Sequence, residues 1–400
     1  MFTDFHSFAA LIYSIQVIRR LNDANLTFIV VNSAPLNILV APLDWGLGHA
    51  TRSIPIIRAC LDRGHRVIIA SSGRALALLQ KEFPQVTCIE VPAYDIQYQE
   101  KGSFVFKIIG QLGKIFSGIR REYRTTQKIV REHNIQLIIS DNRYGFYHKH
   151  VHSVIITHQM MVKLPQFKLG EPFIYLWLQR QHLRFDTVWI PDVQGEPNIS
   201  GDLSHAYPIL KRAEYIGILT RFMAQPENTP VQDQVLAIIS GPEPQRTLFE
   251  EAIIEQAKNI NRSFIIVRGL SEQNEDRMLT PNIRLISHMP GDALFTLIQQ
   301  SSVIISRGGY STLMDLAVLH KKCIFVPTPG QTEQEYLVRA LAAKKLVVGC
   351  AQPSFELSRA LADVADTQGF HVYSKADAFT VYLDKAIALA QTTKNLTASS

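Results

Sequence analysis

Short apolar runs rich in β-branched residues alternate along the chain with stretches long enough to form helices. The alternation occurs in two consecutive sets of six runs, and such a pattern predicts parallel sheets covered by helices. We therefore expect an α/β protein with two doubly wound, Rossmann-like domains that face a cleft. The runs are Asn37–Pro42, Arg66–Ser71, Thr87–Pro92, Gln136–Asp141, Ser153–His158 and Thr187–Asp192, then Val235–Ser240, Ser263–Gly269, Ile283–His288, Ser302–Arg307, Lys322–Pro327 and Leu346–Gly349.

The length of the chain and the position of its proline-rich, polar stretch divide it into five predicted parts. The 400 residues exceed the roughly 250–300 at which single cores stop growing, so two domains are expected. The stretch Thr220–Asp233 is rich in proline and polar residues, which is typical of a linker. The predicted parts are an N-terminal extension of unknown role (1–35), a first domain (36–220), a linker (221–234), a second domain (235–370) and a closing helix with a tail (371–400).

Composition excludes several classes of protein. Apolar residues make up 46% of the chain and charged residues 19%, which is ordinary for a globular protein and excludes a disordered or collagenous one. The four cysteines lack metal-ligand spacing, which favours buried thiols in a reducing compartment. No apolar run approaches the roughly 18–20 residues that cross a bilayer, and the start does not resemble a secretory signal. We expect a cytoplasmic protein.

A glycine-containing loop follows the first predicted strand and leads into a helix. Gly46 and Gly48 let the backbone turn sharply and bring N–H groups towards a ligand at the helix N-terminus. The next residue, His49, would accept a proton from a hydroxyl group at the cleft, or else cap and pack on the helix. The loop lacks the GK[ST] of a Walker A motif and the third glycine of a dinucleotide fingerprint, which disfavours a dinucleotide oxidoreductase.

A second motif, SRGGYSTLMD, spans residues 306–315. It leaves a predicted strand, passes Gly308 and Gly309, and enters a helix for which Ser311 is the expected N-cap. A helix N-terminus with free N–H groups suits a phosphate. Asp315 lies one turn deeper on the same face, where it would accept hydrogen bonds from a ribose diol or remain a solvated helix acid.

Two more loops follow strands of the second domain. Gln334 and Glu335 begin a predicted helix over Thr332–Ala343, where they would contact sugar hydroxyls or form an ordinary polar helix start. The loop after Ser240 holds two prolines, which remove N–H donors, so that Arg246 would supply the charge for a phosphate or pair at the surface.

Residues from about 235 to 348 resemble the C-terminal domain of the family 28 glycosyltransferases, which have the GT-B fold. The resemblance rests on SRGGYSTLMD and on VPTPGQTEQEYL at its spacing. It implies a UDP-sugar donor. Its diphosphate would bind Gly308, Gly309 and Ser311, its ribose would bind Asp315, and its sugar would contact Gln334 and Glu335. The uracil would lie near His288 and Met289, and the flanking loops would contribute Ser240, Arg246 and Arg307. His49 matches a histidine that acts as the base or contacts the acceptor. Asp315 stands where the family usually has Glu.

Polar residues at the ends of first-domain strands are candidates for the acceptor side of the cleft. They are Asp141, Arg143, His158 and Gln159, together with Gly46 and Gly48, and packing or capping is the alternative for them. The alternating histidines at 148, 150 and 152 lack a carboxylate or cysteine that would complete a metal site. No two aspartates are separated by one residue, so the Asp-x-Asp metal site of the other major glycosyltransferase fold is missing from the sequence. We therefore expect N–H groups, without a metal, to stabilise the leaving diphosphate.

The net charge of +6 is concentrated in one segment. Residues 101–131 hold eight basic residues and one acidic residue, Glu122, which gives +7 and leaves −1 for the rest. Apolar residues recur at helical spacing from position 105 to position 123. A helix over 104–131 would lie on an anionic membrane near a lipid-linked acceptor, or would pack on the sheet with a solvated basic face. Nucleic acid is disfavoured because no stacking platform accompanies the charges.

The sequence therefore predicts a glycosyltransferase that moves a hexose, such as N-acetylglucosamine, from a UDP-sugar to an acceptor hydroxyl. We expect inversion at the anomeric carbon, no metal and no cofactor beyond the donor substrate. We expect the protein in the cytoplasm or, through the basic segment 104–131, on the inner face of the cytoplasmic membrane. The alternatives are a nucleotide-sugar 2-epimerase of the same fold and a non-enzymatic nucleotide- or sugar-binding protein.

Overall fold

The computed structural model describes residues 34–93, 104–163, 168–222, 231–270, 272–371 and 378–398. Nearly all of the predicted N-terminal extension and most of the predicted linker lie outside these residues. Two sheets with helices packed on them make up the described chain, and the predicted α/β fold class is confirmed.

The first half contains a sheet of seven parallel strands, among the described residues. Its strands are β1 (Asn37–Pro42), β2 (Arg66–Ser71), β3 (Thr87–Glu90), β4 (Leu137–Asp141), β5 (His152–Ile156), β6 (Thr187–Ile190) and β7 (Ala213–Tyr215). Their order is β3-β2-β1-β4-β5-β6-β7, which extends the 3-2-1-4-5-6 order of Rossmann proteins. The helices of this half are α1 (Leu47–Asp62), α2 (Gly73–Glu82), α3 (Phe104–His133), α4 (Glu171–His182) and the short α5 (Asp202–His205).

The second half repeats this plan within the described chain. Its strands are β8 (Gln232–Ile238), β9 (Ser263–Val267), β10 (Asp276–Thr280), β11 (Ile283–Ile286), β12 (Ser301–Ser306), β13 (Lys322–Phe325) and β14 (Val348–Gly349), in the order β10-β11-β9-β8-β12-β13-β14. Only the edge strand β10 is antiparallel among those described. The helices are α6 (Gln245–Ala257), α7 (Gly291–Gln300), α8 (Tyr310–Ala317), α9 (Thr332–Ala343), α10 (Leu357–Asp363) and α11 (Ala378–Ala398).

Both faces of each sheet are covered, so the central strands are apolar along their whole length. Ile38, Leu39 and Val40 of β1 alternate between two separate core clusters, one on each face, and none is more than 1% exposed. This is the reason that a continuous apolar run, without alternation, marks these strands in the sequence.

Three details differ from the sequence-based expectation. The edge strands β7 and β10 were not predicted, because β7 is only three residues long and β10 begins with two charged residues, so that neither contains a continuous apolar run. Strand β8 begins at Gln232, so the last residues of the predicted linker belong to the sheet. The final helix, α11, packs against β4 and β5 of the first sheet and is joined to the first half by Arg63–Asp384 and Lys385–Glu214 ion pairs.

The strand order reverses direction once in each sheet, between β1 and β4 and again between β8 and β12. Connections leave such neighbouring strands in opposite directions, so a crevice opens at their carboxyl ends, and ligands bind there in open α/β sheets. The glycine-containing loop with His49 follows β1, and Asp141 ends β4. Arg307 and the glycines after it follow β12. The two sequence motifs thus lie at the two switch points.

The basic segment forms the long helix α3. Ile119, Ile129 and Val130 are buried against the first half, whereas Phe116 is 50% exposed. The carboxylate of Glu122 is also buried and accepts a hydrogen bond from the backbone N–H of Gly145. The later part of the helix is therefore packed on the domain, as one of the two interpretations requires. In the part of the chain that is described, no helix has the length and apolarity to span a membrane.

Gly145 sits where helix α3 approaches the loop after β4 most closely. A Cβ atom there would lie 2.4 Å from the carbonyl oxygen of Ile119 and 2.8 Å from the backbone nitrogen of Tyr123. We expect Gly145→Ala to lower the free energy of unfolding by about 1–3 kcal/mol, because backbone atoms must move apart. Gly113→Ala, on the same helix but facing open space, is the control and is expected to raise it by about 0.5–1 kcal/mol. Urea denaturation of both variants measures the difference, and equal midpoints would contradict this account of the packing.

Candidate functional site

The first-half switch point brings together a histidine, an aspartate and an arginine. His49 and Arg52 lie in the first turns of α1, and Asp141 is the last residue of β4, directly opposite Pro42 of β1. The His49 Nδ1 atom lies 3.0 Å from Asp141 Oδ1 and 2.8 Å from Arg52 Nη2. Arg52 also donates through Nε to Asp141 Oδ2 at 2.6 Å and through Nη2 to Oδ1. The sequence predicted His49 and Asp141 but not Arg52.

Burial and charge set the protonation of this cluster. The carboxylate of Asp141 is 1% exposed, and although burial opposes ionisation, Arg52 and His49 lower its pKa to about 2. Burial lowers the pKa of His49, the positive charge of Arg52 lowers it further, and Asp141 only partly opposes them. The imidazole keeps 15% of its side-chain surface exposed. His49 is therefore a neutral, accessible imidazole at neutral pH.

The second-half switch point presents the N-terminus of α8. The helix begins at Tyr310 with Gly309 as its N-cap, so the prediction that Ser311 caps it is wrong by two positions. Ser311 instead donates its hydroxyl hydrogen to the carbonyl oxygen of Gly48 at 2.8 Å. A Cβ atom on Gly48 would lie 2.8 Å from Ser311 Oγ, and one on Gly308 would lie 2.3 Å from Val338. Both glycines are needed for close approach, and the two predicted motifs are in direct contact.

Asp315 is 8% exposed and faces the segment that leaves the first half. Its Oδ1 atom accepts a hydrogen bond from Thr220 Oγ1 at 2.9 Å, and its Oδ2 atom accepts one from Arg221 Nε at 3.2 Å. Burial raises the pKa of Asp315, and Arg221 and Thr220 partly oppose this rise. The alternative interpretation of Asp315 as a solvated helix acid is therefore wrong, because its carboxylate is buried and hydrogen-bonded.

An acid that the sequence did not single out, Glu333, connects the halves. His158 Nε2 lies 3.0 Å from Glu333 Oε1, and the Gln159 side chain donates to the other carboxylate oxygen. The His158 ring stacks on Tyr310, with centroids 3.7 Å apart and planes 3° apart. Although burial raises the pKa of Glu333, the contact with His158, including its hydrogen bond, and the positive charge of Arg52 lower that pKa overall. The available signal was its position in the first turn of α9, where a carboxylate is stabilised by the helix dipole.

Gln334 and Glu335, which the sequence predicted as the sugar-contacting pair, instead close the preceding loop. Gln334 Oε1 accepts a hydrogen bond from the backbone N–H of Thr328, and Glu335 Oε1 accepts one from the N–H of Gly330. Because each residue along α9 rotates the side-chain direction by about 100°, Glu333 is the acid of this turn that reaches His158. The sugar contact of Gln334 and Glu335 stays a prediction, and Glu333 is a further candidate for it.

Three arginines in the predicted site are buried and hold loops in place. Arg307 is 2% exposed and donates to the carbonyls of Gln245 at 2.7 Å and Val326 at 3.1 Å, and burial lowers its pKa to about 10. Arg246 forms ion pairs with Glu243 and Glu250. These guanidinium groups are committed to protein partners, so the predicted donor contacts of Arg246 and Arg307 are replaced by a structural role.

Arg143 is the third of these arginines. It is fully buried, 3.5 Å from Glu122 and 3.7 Å from Asp44, and it therefore does not line the acceptor side as predicted. Its guanidinium instead joins helix α3 to the first loop. The loop after β11 places His288 at the surface and Met289 half-buried, and the loop after β8 leaves Ser240 exposed.

The alternating histidines do not converge. The rings of His148 and His150 are 5.9 Å apart, whereas His152 lies beside Asp186 at 3.8 Å. Among the described residues, no group of three or more His, Cys, Asp and Glu side chains is arranged to hold a metal ion.

Comparison with known proteins agrees with this architecture. Residues 238–387 match the family model of the glycosyltransferase family 28 C-terminal domain, and residues 36–166 match that of glycosyl transferase family 1. An uncharacterized glycosyltransferase of Methanopyrus kandleri is 24% identical over 328 residues, which cover 78% of this chain and 88% of the relative.

Solved structures show the same fold at low identity. The spinosyn rhamnosyltransferase SpnG, complexed with thymidine diphosphate, superposes with a TM-score of 0.55 at 14% identity, covering 90% of this chain and all of its own. Acinetobacter baumannii MurG superposes with a TM-score of 0.50 at 11% identity, covering 88% of this chain and all of its own. These matches support glycosyltransferase activity and do not favour the epimerase or binding-protein alternatives. The chain has the GT-B fold, and its residues 238–387 are similar to the glycosyltransferase family 28 C-terminal domain.

Proposed function

We propose that the protein transfers a sugar from a UDP-sugar to an acceptor hydroxyl, with inversion and without a metal. One observation carries the proposal: His49, oriented by Asp141, lies in the first turn of α1, and that turn contacts the N-terminus of α8 through Gly48 and Ser311. A base on one side of a cleft and a helix N-terminus on the other are the two parts that such a transfer needs.

His49 would activate the acceptor. A histidine that takes a proton on Nε2 must carry its own proton on Nδ1, where Asp141 Oδ1 lies 3.0 Å away to accept it. The acceptor oxygen would then attack the anomeric carbon, and the carboxylate of Asp141 would stabilise the imidazolium that forms. The lowered pKa of His49 favours this role, because the ring is neutral before the reaction.

The donor would lie against α8. The N–H groups at Gly309 and Ser311 and the positive end of the helix suit a departing diphosphate, which is why the proposed reaction requires no metal. The carboxylate of Asp315 accepts two hydrogen bonds from Thr220 and Arg221, and with about four lone-pair sites it retains capacity for a ribose diol. Glu333, held by His158 and Gln159, takes over the sugar contact that we had expected of Glu335.

The histidine assignment is tested by replacing His49. We expect His49→Ala to lower kcat by about 10²–10⁴-fold with UDP-N-acetylglucosamine and a suitable acceptor, since the general base is lost. The assay measures UDP release, and the exposed His150→Ala is the matched control with unchanged turnover. Full turnover by His49→Ala would contradict the base assignment, and conversion of the donor without acceptor would indicate an epimerase.

The acid limb of the pH profile provides a second test. A base must be unprotonated, so activity is lost as the pH falls through the pKa of His49. Because burial and Arg52 lower that pKa, we expect kcat/KM to stay above half of its plateau at pH 6.5, the ordinary histidine value. Half-maximal activity at or above pH 6.5 would be inconsistent with His49 as the base in this environment.

We also propose that the first half docks on an anionic membrane beside a lipid-linked acceptor. The docking surface consists of exposed apolar side chains on α4, on the turn before it and on α3. Phe116 of α3 contacts Trp177 of α4 edge-on, with ring centroids 6.1 Å apart, so the two helices are neighbours. Its apolar members are Leu169, Phe173, Leu176 and Phe116, which are 82%, 75%, 63% and 50% exposed. Helix α3, which carries Phe116, also has exposed basic residues: Lys114, Arg120 and Arg124. Apolar insertion and attraction to anionic lipid act together on such a surface.

Charge reversal tests the docking surface. Each basic residue near an anionic bilayer contributes about 1 kcal/mol, so we expect the triple change Lys114→Glu, Arg120→Glu and Arg124→Glu to weaken binding to phosphatidylserine-containing vesicles by at least about 100-fold. Co-sedimentation measures the bound fraction.

The matched control reverses the same number of charges elsewhere, at the exposed residues Arg66, Arg339 and Lys345, and is expected to bind as the unaltered protein does. Equal binding by both triple variants would overturn the docking proposal and leave the transfer reaction unaffected.

A further inference from the structure

The Nδ1 atom of His49 has two neighbours that require opposite hydrogen-bonding roles of it. Arg52 Nη2, at 2.8 Å, is a donor in every accessible protonation state, so it can bond to Nδ1 only through the nitrogen lone pair. Asp141 Oδ1, at 3.0 Å, is an acceptor and would bond only to an Nδ1–H. One ring nitrogen cannot do both at once, and the neutral imidazole must adopt one of two tautomers.

The remaining contacts decide between them. The carboxylate of Asp141 already receives hydrogen bonds from Arg52 at both oxygens, through Nε at 2.6 Å to Oδ2 and through Nη2 to Oδ1. Each oxygen thus has a donor without the histidine, whereas a proton on Nδ1 would lie beside the guanidinium, whose Nη2 is 2.8 Å away. Arg52 is 3% exposed, so water does not screen this opposition.

We propose that Arg52 is a positioning residue that holds resting His49 in the tautomer with its proton on Nε2. In that tautomer Nδ1 accepts from Arg52, and the accessible edge of the ring is a donor. The base-competent tautomer has its proton on Nδ1 and forms when Nη2 withdraws from the ring; Nε2 releases one proton to water and Nδ1 gains one, so the net charge is unchanged. Arg52 therefore controls when His49 becomes a base. The catalytic consequence, though not the tautomer itself, rests on the proposed function.

The charged groups around the ring come from four elements. Arg52 belongs to α1, Asp141 to β4, His158 to the loop after β5 and Glu333 to α9, and Glu333 Oε1 lies 3.0 Å from His158 Nε2. The guanidinium is thus the cation whose removal leaves Asp141 free to pair with His49. With Arg52→Gln, we expect Nδ1 to become protonated and the acid limb of kcat/KM to move up by about 1–2 pH units.

The decisive measurement needs no substrate, and it uses a variant only to assign the signals. Imidazole ¹⁵N chemical shifts, recorded on the full-length protein labelled at histidine and assigned with His49→Ala, distinguish a protonated from an unprotonated ring nitrogen. Well above the pKa of His49, we expect an unprotonated Nδ1 and a protonated Nε2. A protonated Nδ1 in the resting protein would overturn the proposal, whether or not the protein transfers a sugar.

Two variants then test the cause. Arg52→Gln is expected to move the Nδ1 signal to the protonated position, and Arg52→Lys, which retains a donor-only cation, is expected to leave it unprotonated. Circular dichroism establishes that each variant is folded. Should the glutamine variant not fold, the resting tautomer and the lysine variant still decide the matter, since a protonated Nδ1 in either of them would contradict the role of Arg52.

Discussion

The buried ion pair between Asp141 and Arg52 is the interaction on which the rest of the candidate site depends. It joins the end of β4 to helix α1, which follows β1, and so fixes the loop between them at the switch point of the first sheet. His49 is placed by the same two partners. A buried ion pair of this kind adds little stability by itself, but removal of either partner leaves an uncompensated charge, and the geometry is therefore strongly specified.

Contacts across the cleft make the two halves interdependent. Ser311 bonds to the backbone of Gly48, Tyr310 stacks on His158, and Glu333 accepts hydrogen bonds from His158 and Gln159. Each contact joins a loop of one sheet to a helix start of the other. A change at α8 or α9 is therefore expected to alter the geometry around His49 and His158. Such coupling suits the proposed transfer, in which groups from both halves act on one bond.

Much of the fold followed from the sequence because its central strands are buried on both faces. β1 and β2 were predicted to the residue, and the α/β class followed from their alternation with helices. β7 and β10 could not be predicted, since neither contains a continuous apolar run. In the candidate site, His49 and the glycines after β12 could be singled out from the sequence because loop position and residue type restrict the roles open to them.

The sequence by itself determined the fold class, the two glycine-containing motifs and the chemistry that His49 and α8 can offer. Only the tertiary structure decided which polar side chains meet. It brought Arg52 and His49 to Asp141, turned Glu333 rather than Glu335 towards His158, and buried Arg143 and Arg307 among protein partners. The reason is physical: strand patterns depend on neighbours along the chain, whereas the pairing of charges depends on distances between residues that are 89 or 175 positions apart.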